Sequence, residues 1–156
     1  MKSQGILHKI CRMYCDDDED RKDLFQEIMI HLWKSYPSFR GEAKFSTWMY
    51  QVSFNVAIQH LRMRKRRPQH EAIEAQHVPH EEPITGPSDL EIKKQELDKA
   101  IRKLNPVDAA IILLYLEEKS QVEIGEIIGI TANHVGVKVS RIKLKLKKLL
   151  NINDHE

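Results

Sequence analysis

Apolar residues recur at helical spacing along most of the chain. Leu24, Ile28 and Leu32 follow one another at four-residue steps, which predicts a helix over 21–36 with one buried stripe, ended by Pro37. The one alternation typical of a strand, IKLKL, is too short to outweigh the helical pattern around it. An all-α fold is therefore expected.

Two further helices are predicted in the N-terminal third, a short one over 6–14 and a long one that begins with Ser46 or Thr47 as N-cap. The long helix has a core face made of Met49, Val52, Val56 and Leu61, which Phe54, Ala57 and Ile58 broaden. Its last turns are strongly basic: Arg62, Arg64, Lys65, Arg66 and Arg67. Cations are favoured at a helix C-terminus, but five in six residues exceed what capping needs, which indicates an external anion.

A proline-rich stretch then divides the chain. Residues 68–88 hold four prolines and few large apolar residues, a composition typical of a flexible linker. Helical spacing resumes at Asp89, and Asn105 followed by Pro106 has the N-cap and first-turn pattern of another helix. We therefore predict two small helical modules, residues 1–67 and 89–156, joined by a linker over 68–88.

The last part of the chain has the pattern of a helix-turn-helix. Ser120 with Glu123 three residues later is a capping-box pattern, Gly129 is suited to end the short helix, and Thr131 can cap the next one. That last helix has an apolar stripe within an arc of about 100°, formed by Val135, Val139, Ile142, Leu146, Leu149 and Leu150. In such a motif the first helix braces and the second enters the major groove of DNA.

Charge is segregated although the net charge is only +2. Residues 41–67 hold six basic and one acidic residue, residues 131–156 hold six and two, and the stretch between them is acidic. A polyanion held at two places would favour this pattern, and so would two unrelated solvated faces. Because recognition helices present their N-terminal residues to bases, the candidate base contacts are Asn133, His134, Val137, Lys138 and Arg141, with Lys145 and Lys148 nearer the phosphates.

Other kinds of function find less support. No apolar run approaches the ~20 residues of a membrane span, and the first residues lack the pattern of a signal peptide, so we expect a soluble, cytoplasmic protein. Cys11 and Cys15 lie four residues apart without further ligands nearby, which favours core packing over a metal site. No cofactor is expected, and no arrangement of acids, bases and nucleophiles indicates an enzyme.

Two stretches of this chain resemble the extracytoplasmic-function group of the sigma-seventy family of bacterial RNA polymerase sigma factors. The segment DLFQE, followed by FRGEAKFSTWMY, resembles the family's second conserved region. The segment LNPVDAAIILLYLEEKSQVEIGEIIGITANHVGVKVSRIKLKLKKLL resembles its fourth region. The resemblance implies a protein that binds core RNA polymerase and directs promoter recognition and DNA melting.

The resemblance also implies roles for individual residues. The residues that match the segment docking on the clamp of the polymerase's largest subunit are Asp23, Leu24, Gln26 and Glu27. The residues that match the part recognising the minus-ten element are Phe45, Thr47, Trp48 and Asn55. We add the five basic residues at the end of the same helix, Arg62, Arg64, Lys65, Arg66 and Arg67. The minus-thirty-five element would be read by the helix that starts at Thr131, with the polymerase flap holding this module. An anti-sigma factor is a further expected partner.

Three departures limit what can be transferred from the family. The VGVK segment at 135–138 replaces the usual run after the valine, Gly125 replaces the usual alanine of the brace helix, and Ala109 and Ala110 lie where the family has an arginine. Two other functions stay open from the residues alone. One is a stand-alone helix-turn-helix regulator that does not bind polymerase, and the other is an adaptor that binds membranes or partners through its basic helix.

Overall fold

The computed structural model describes residues 2–66 and 88–151. Seven α-helices lie in these ranges, and the described residues contain no strand, as the apolar spacing predicts. The helices are α1 (Lys2–Tyr14), α2 (Asp18–Ser35), α3 (Phe45–Arg66), α4 (Asp89–Arg102), α5 (Pro106–Leu116), α6 (Gln121–Ile128) and α7 (Ala132–Leu149). A 3-10 turn, Tyr36–Ser38, follows α2 and contains Pro37.

The N-terminal module is a three-helix bundle in which α1, α2 and α3 all contact one another. Helix α2 starts at Asp18, three residues before the stretch with apolar spacing, because the Asp17 side chain caps it by accepting a hydrogen bond from the Asp20 amide. Three acidic residues in the first turn add favourable charge at that helix end. Leu24 and Ile28 are fully buried and Leu32 is half-buried, which confirms the predicted stripe.

The predicted N-caps of the third helix are wrong. Helix α3 begins at Phe45, so Ser46 and Thr47 lie inside its first turn rather than before it. Its buried surface includes Phe54 and Ala57, as predicted, and extends to Tyr50, which the apolar spacing did not place in the core. The reason is that α3 packs on α1 and α2 on one side and on α5 and α6 of the C-terminal module on the other.

The C-terminal module contains α4 to α7, and its helix ends follow the sequence signals closely. Ser88 and Glu91 form a complete capping box on α4, and Asn105 caps α5 with Pro106 in the first turn. Ser120 caps α6 by accepting from the Glu123 amide. The reciprocal half of that capping box is missing, because the Glu123 carboxylate is directed toward Lys44 of the N-terminal module, 3.9 Å away.

The predicted linker, residues 68–88, falls outside the described residues except for Ser88, which belongs to the α4 cap.

Candidate nucleic-acid and protein interfaces

The pair α6 and α7 forms the predicted helix-turn-helix. Gly129 adopts a left-handed conformation, φ 89°, which ends α6 and lets the amides of Gly129 and Ile130 donate to the Gly125 carbonyl. A Cβ on Gly125 would lie 2.5 Å from the Ile130 carbonyl oxygen, so the turn packs directly against the brace helix. Thr131 then caps α7 by accepting from the His134 amide at 3.2 Å.

Helix α7 buries one stripe and leaves its opposite face to solvent. Val135, Val139, Ile142 and Leu146 are buried, as predicted. The predicted DNA-contacting residues on the opposite face are exposed, namely Thr131, Asn133, His134, Val137, Arg141, Lys145 and Lys148. This face therefore combines polar hydrogen-bonding groups at its N-terminal end with cations toward its C-terminal end, a distribution suited to bases and phosphates respectively.

Lys138 differs from its neighbours. It is half-buried, and its ammonium lies 3.5 Å from the Asp108 carboxylate in the first turn of α5. Asp108 is also bonded to Asn105, the α5 cap. This ion pair ties the recognition helix to the start of α5, so Lys138 is less available to DNA than the sequence pattern predicts.

An aromatic cluster lies where α3 begins. Phe39, Phe45 and Trp48 pack with ring centroids 5.2 to 5.9 Å apart, and Tyr36 lies 6.2 Å from Trp48. Phe45 is 48% exposed and Trp48 is half-buried, so their rings share both packing and solvent. Asn55 is exposed on the same helix. Exposed aromatic rings beside cations are the features that hold unpaired bases.

Two residues predicted to make contacts are buried. Leu24 is 0% exposed in the core beneath α2, so it supports this helix and its side chain offers no surface to a partner. Thr47 is 4% exposed and lines a small cleft with Lys44, Tyr50 and Glu123. Because they are buried, neither side chain can contact a ligand directly in this arrangement. The sequence motifs placed both residues on functional helices but could not show which face of the helix each would occupy.

The basic end of α3 is only partly free. Arg62 is exposed, whereas Arg64 forms an ion pair with Asp20 and lies 3.9 Å from Asp17 at the start of α2. The side chains of Lys65 and Arg66, and the whole of Arg67, fall outside the described residues. The structure therefore gives Arg64 an internal partner in place of the external anion that the run of cations indicates.

The outer face of α2 presents the predicted polar residues together with an apolar patch that the sequence reasoning missed. Asp23, Gln26 and Glu27 are exposed, and Glu27 lies 3.3 Å from His60 of α3. The apolar patch consists of Met29, Ile30 and Trp33, and Trp33 is 84% exposed. The signal that could have revealed this patch is that all three lie off the Leu24–Ile28–Leu32 stripe while being large and apolar.

The two modules are docked on each other, which no sequence pattern indicated. The Tyr14 hydroxyl donates to the Pro106 carbonyl at 2.6 Å, and the Gln51 amide donates to the Glu126 carbonyl at 2.7 Å. At the edge of the contact, Lys9 lies 2.5 Å from Glu117, and Arg102 bonds to Asp16 and to the Arg12 carbonyl. Burial raises the pKa of Tyr50 to about 12, with a further rise from the Glu117 carboxylate.

This docking covers the N-terminal end of α3. Lys44, Ser46, Thr47 and Tyr50 face Lys119, Glu123 and Ile127 of the C-terminal module across the small cleft. The outer face of α7 is not part of this contact and stays exposed. One of the two predicted DNA-binding surfaces is therefore open, and the other is partly closed.

Cys11 and Cys15 are buried free thiols, consistent with the core packing expected of them. Burial raises the pKa of each to about 11, so both are protonated at neutral pH. Among the described residues no cluster of three or more His, Cys, Asp or Glu side chains could hold a metal ion. In the same part of the chain, no helix has the length and apolarity needed to cross a membrane.

Comparison with known families gives two matches in chain order. Residues 1–67 match Sigma-70 region 2, and residues 94–146 match Sigma-70, region 4. The chain is similar to the ECF RNA polymerase sigma factor SigW of Bacillus subtilis, at 26% identity over 92% of this chain and 82% of that protein. It is also similar to the ECF RNA polymerase sigma-E factor of Haemophilus influenzae, at 29% identity over 80% of this chain and 71% of that one.

Two solved structures share the fold. The sigma factor RpoE of Bartonella quintana, in complex with the anti-sigma factor NepR, superposes with a TM-score of 0.72 at 20% identity over 97% of this chain and 93% of that one. CnrH, in complex with the cytosolic domain of CnrY, superposes with a TM-score of 0.68 at 16% identity over 98% of this chain and 85% of that one. Both likenesses cover both helical modules.

Proposed function

Since the chain belongs to the sigma-70 family of RNA polymerase sigma factors, in the extracytoplasmic-function group, we propose how its modules bind core polymerase and promoter DNA. The observation that carries the proposal is the pairing of an exposed basic face on α7 with an exposed polar and apolar face on α2. In this proposal α7 reads the minus-thirty-five element, α3 with its aromatic cluster recognises and opens the minus-ten element, and α2 docks on polymerase.

Helix α7 is suited to the major groove of duplex DNA. Asn133 can pair with an adenine edge and Arg141 with a guanine edge or a phosphate, while the exposed Val137 can contact a thymine methyl group. Lys145 and Lys148 follow along the same face, where phosphates would lie. The buried stripe and the Gly129 turn fix the direction of this face relative to α6, so the contacts need no rearrangement inside the motif.

The start of α3 is suited to unpaired bases. Phe45 offers an exposed ring, against which Phe39 packs edge-on and Trp48 packs at a tilt of 41°. Stacking of a base on such a ring contributes roughly 1–3 kcal/mol. Arg62 is an exposed cation on the same module, available to the strand's phosphates, and Lys44 would join it when its ion pair with Glu123 opens. These groups favour melted over paired DNA, because a duplex hides the faces of its bases.

Helix α2 is suited to a protein partner. Its acidic and amide groups, Asp23, Gln26 and Glu27, precede the exposed patch of Met29, Ile30 and Trp33 along the same helix. Large exposed apolar side chains beside polar ones are typical of protein interfaces, and tryptophan is enriched among the residues that contribute most binding energy. We assign this face to the clamp of the polymerase's largest subunit, and the C-terminal module to the flap.

An anti-sigma factor is a second proposed partner. Two proteins that share the fold of this chain are solved with a bound partner: RpoE with the anti-sigma factor NepR, and CnrH with the cytosolic domain of CnrY. A protein that covered the α2 face would exclude polymerase by direct competition. Sigma factors are transcription initiation factors and not enzymes, and we assign no catalytic residue.

The stand-alone regulator is the weaker alternative. A helix-turn-helix by itself would fit it, but residues 1–67 match Sigma-70 region 2, which such a regulator has no need of. The membrane adaptor is weaker still, because the apolar stripe that would enter a lipid surface is buried against α5 and α6.

Run-off transcription with core RNA polymerase on a panel of genomic promoters tests the proposal. We expect promoter-specific transcripts from wild-type protein, and a marked loss with Asp23→Ala and Gln26→Ala, measured alongside co-purification with core polymerase. Glu96→Ala, which removes an exposed acid from α4, is the matched control. No complex and no transcripts from wild-type protein would refute the proposal, and DNA binding without a polymerase complex would support the stand-alone regulator instead.

A further inference from the structure

The amide group of Gln121, the first residue of α6, lies directly over Gly136 of α7. A Cβ built on Gly136 would be 3.1 Å from the Gln121 Nε2, 3.3 Å from its Oε1 and 3.4 Å from its Cδ. Contacts of 3.0 to 3.4 Å are tighter than most real Cβ contacts, so another residue at 136 would shift the carboxamide by a few tenths of an ångström. The missing side chain of Gly136 therefore makes room for the Gln121 amide.

Gly136 lies at the rim of the exposed face of α7. At about 100° per residue it is roughly 60° around the helix axis from Asn133 and roughly 40° from Ser140, both exposed. It lies about 100° from Val135 on one side, so it borders the buried stripe without belonging to it. The amide of Gln121 is consequently placed beside the residues that face DNA.

The Gln121 amide is also unengaged. Gln121 is exposed, and within residues 2–66 and 88–151 its carboxamide has no hydrogen-bond partner. A carboxamide offers two donor hydrogens and an acceptor oxygen, the set that pairs with N6 and N7 of adenine in the major groove. A polar group that lies beside the exposed face of α7, with its hydrogen-bonding capacity free, is suited to base discrimination.

We propose that Gln121 is a specificity-determining residue of minus-thirty-five recognition, held over Gly136 so that its carboxamide reads an adenine next to the base contacted by Asn133. The inference rests on the proposed function, since it assigns one further base contact to the same DNA-binding surface. It explains the VGVK segment physically: the glycine removes a side chain from α7, and a side chain from α6 occupies the space. Base selection at this position then depends on two helices.

The test is selection of a randomised minus-thirty-five element by the full-length protein bound to core polymerase. Wild type is compared with Gln121→Ala and Gly136→Ala. Gln121→Ala should lower the preference for adenine at one position by about 5- to 150-fold, the discrimination typical of a bidentate amide pair. Gly136→Ala should lower the preference at the same position, because its methyl group shifts the amide by a few tenths of an ångström from the geometry of a bidentate pair. The variant should still fold, because alanine is favoured over glycine in the interior of a helix.

The double variant should lose no more than the single ones, since both remove one contact. Gln95→Ala, which removes an exposed glutamine from α4 of the same module, should leave every preference unchanged. Unchanged base preferences in both single variants would overturn the proposal, and so would a uniform loss of affinity over all sequences, which would identify a phosphate contact. If the wild-type protein selects no sequence, the proposed function itself is refuted. If the wild type is selective and the variants keep the same preferences, only the role of Gln121 is refuted.

Discussion

The substitution Tyr14→Phe should raise the fraction of molecules in which the two modules are undocked, without unfolding either module. The Tyr14 hydroxyl is buried, and the hydrogen bond of 2.6 Å that it donates to the Pro106 carbonyl joins α1 to α5. The ring itself packs edge-on against Phe54 within the N-terminal module, a contact that phenylalanine keeps. Removing the hydroxyl therefore weakens the contact between modules and little else.

The size of the effect follows from this single bond. A neutral intramolecular hydrogen bond contributes about 0.5–1.5 kcal/mol net, which corresponds to about a 2- to 13-fold rise in the ratio of open to docked protein. The Pro106 carbonyl is at the first turn of α5, where the helix supplies another donor, so no large penalty for an unpaired acceptor is added. The change should leave the thermal unfolding of each module almost unaltered.

Single-molecule energy transfer between dyes on cysteines introduced at Lys34 and Lys94 would measure that ratio. Both positions are exposed and lie in different modules. The native thiols Cys11 and Cys15 are buried, with pKa values of about 11, so they compete poorly for the dyes at pH 7.

Tyr115→Phe is the matched control, because it removes a hydroxyl that accepts from Lys143 inside the C-terminal module. It should leave the ratio of open to docked protein unchanged. An unaltered ratio in Tyr14→Phe, or equal changes in both variants, would refute the assignment of this bond to the docking of the modules.

Three further predictions concern the stability and chemistry of the modules. Ile142→Ala should destabilise the C-terminal module by about 2–5 kcal/mol in chemical denaturation, because Ile142 lies on the buried face of α7. Leu144→Ala, at a site 61% exposed on the same helix, should change stability little. Gly129→Ala should cost about 1 kcal/mol by the same measurement, because alanine is strained at φ 89°, and an unchanged midpoint would contradict the left-handed cap. Cys11 and Cys15 should resist alkylation in the native state at pH 8, as measured by mass spectrometry, and rapid labelling at this pH would contradict their burial. Burial raises both pKa values from 9.0 to about 11, so the stability that the protonated thiols contribute should be complete below pH 9 and lost as the pH rises through about 11.

Helix content and the helix-turn-helix could be predicted from the sequence because their signals are local. The caps at Ser88, Asn105, Ser120 and Thr131 depend on side chains that bond to their own helix ends, within three residues. The stripe of α7 depends only on spacing. Local signals failed at the start of α3, where Ser46 and Thr47 have the right chemistry for a cap but the helix begins earlier.

The partners of individual side chains could not be predicted, because they depend on distant parts of the chain. Arg64 has the sequence context of a nucleic-acid contact, yet the fold places it against Asp20, more than forty residues earlier. Glu123 has the context of a capping box, yet its carboxylate turns to Lys44. The same holds for Gln121, whose position over Gly136 depends on the angle between two helices.

The docking of the two modules limits how much promoter DNA one molecule can contact when it is not bound to polymerase. A compact chain of 156 residues has a radius of gyration of about 15 Å, whereas promoter elements some 25 base pairs apart are separated by about 85 Å of duplex at 3.4 Å per pair. A docked molecule cannot touch both elements at once, so it lacks the gain in affinity that two linked contacts give. We therefore expect protein made in excess of polymerase to bind promoters weakly, so that the concentration of polymerase complexes sets how many promoters are filled.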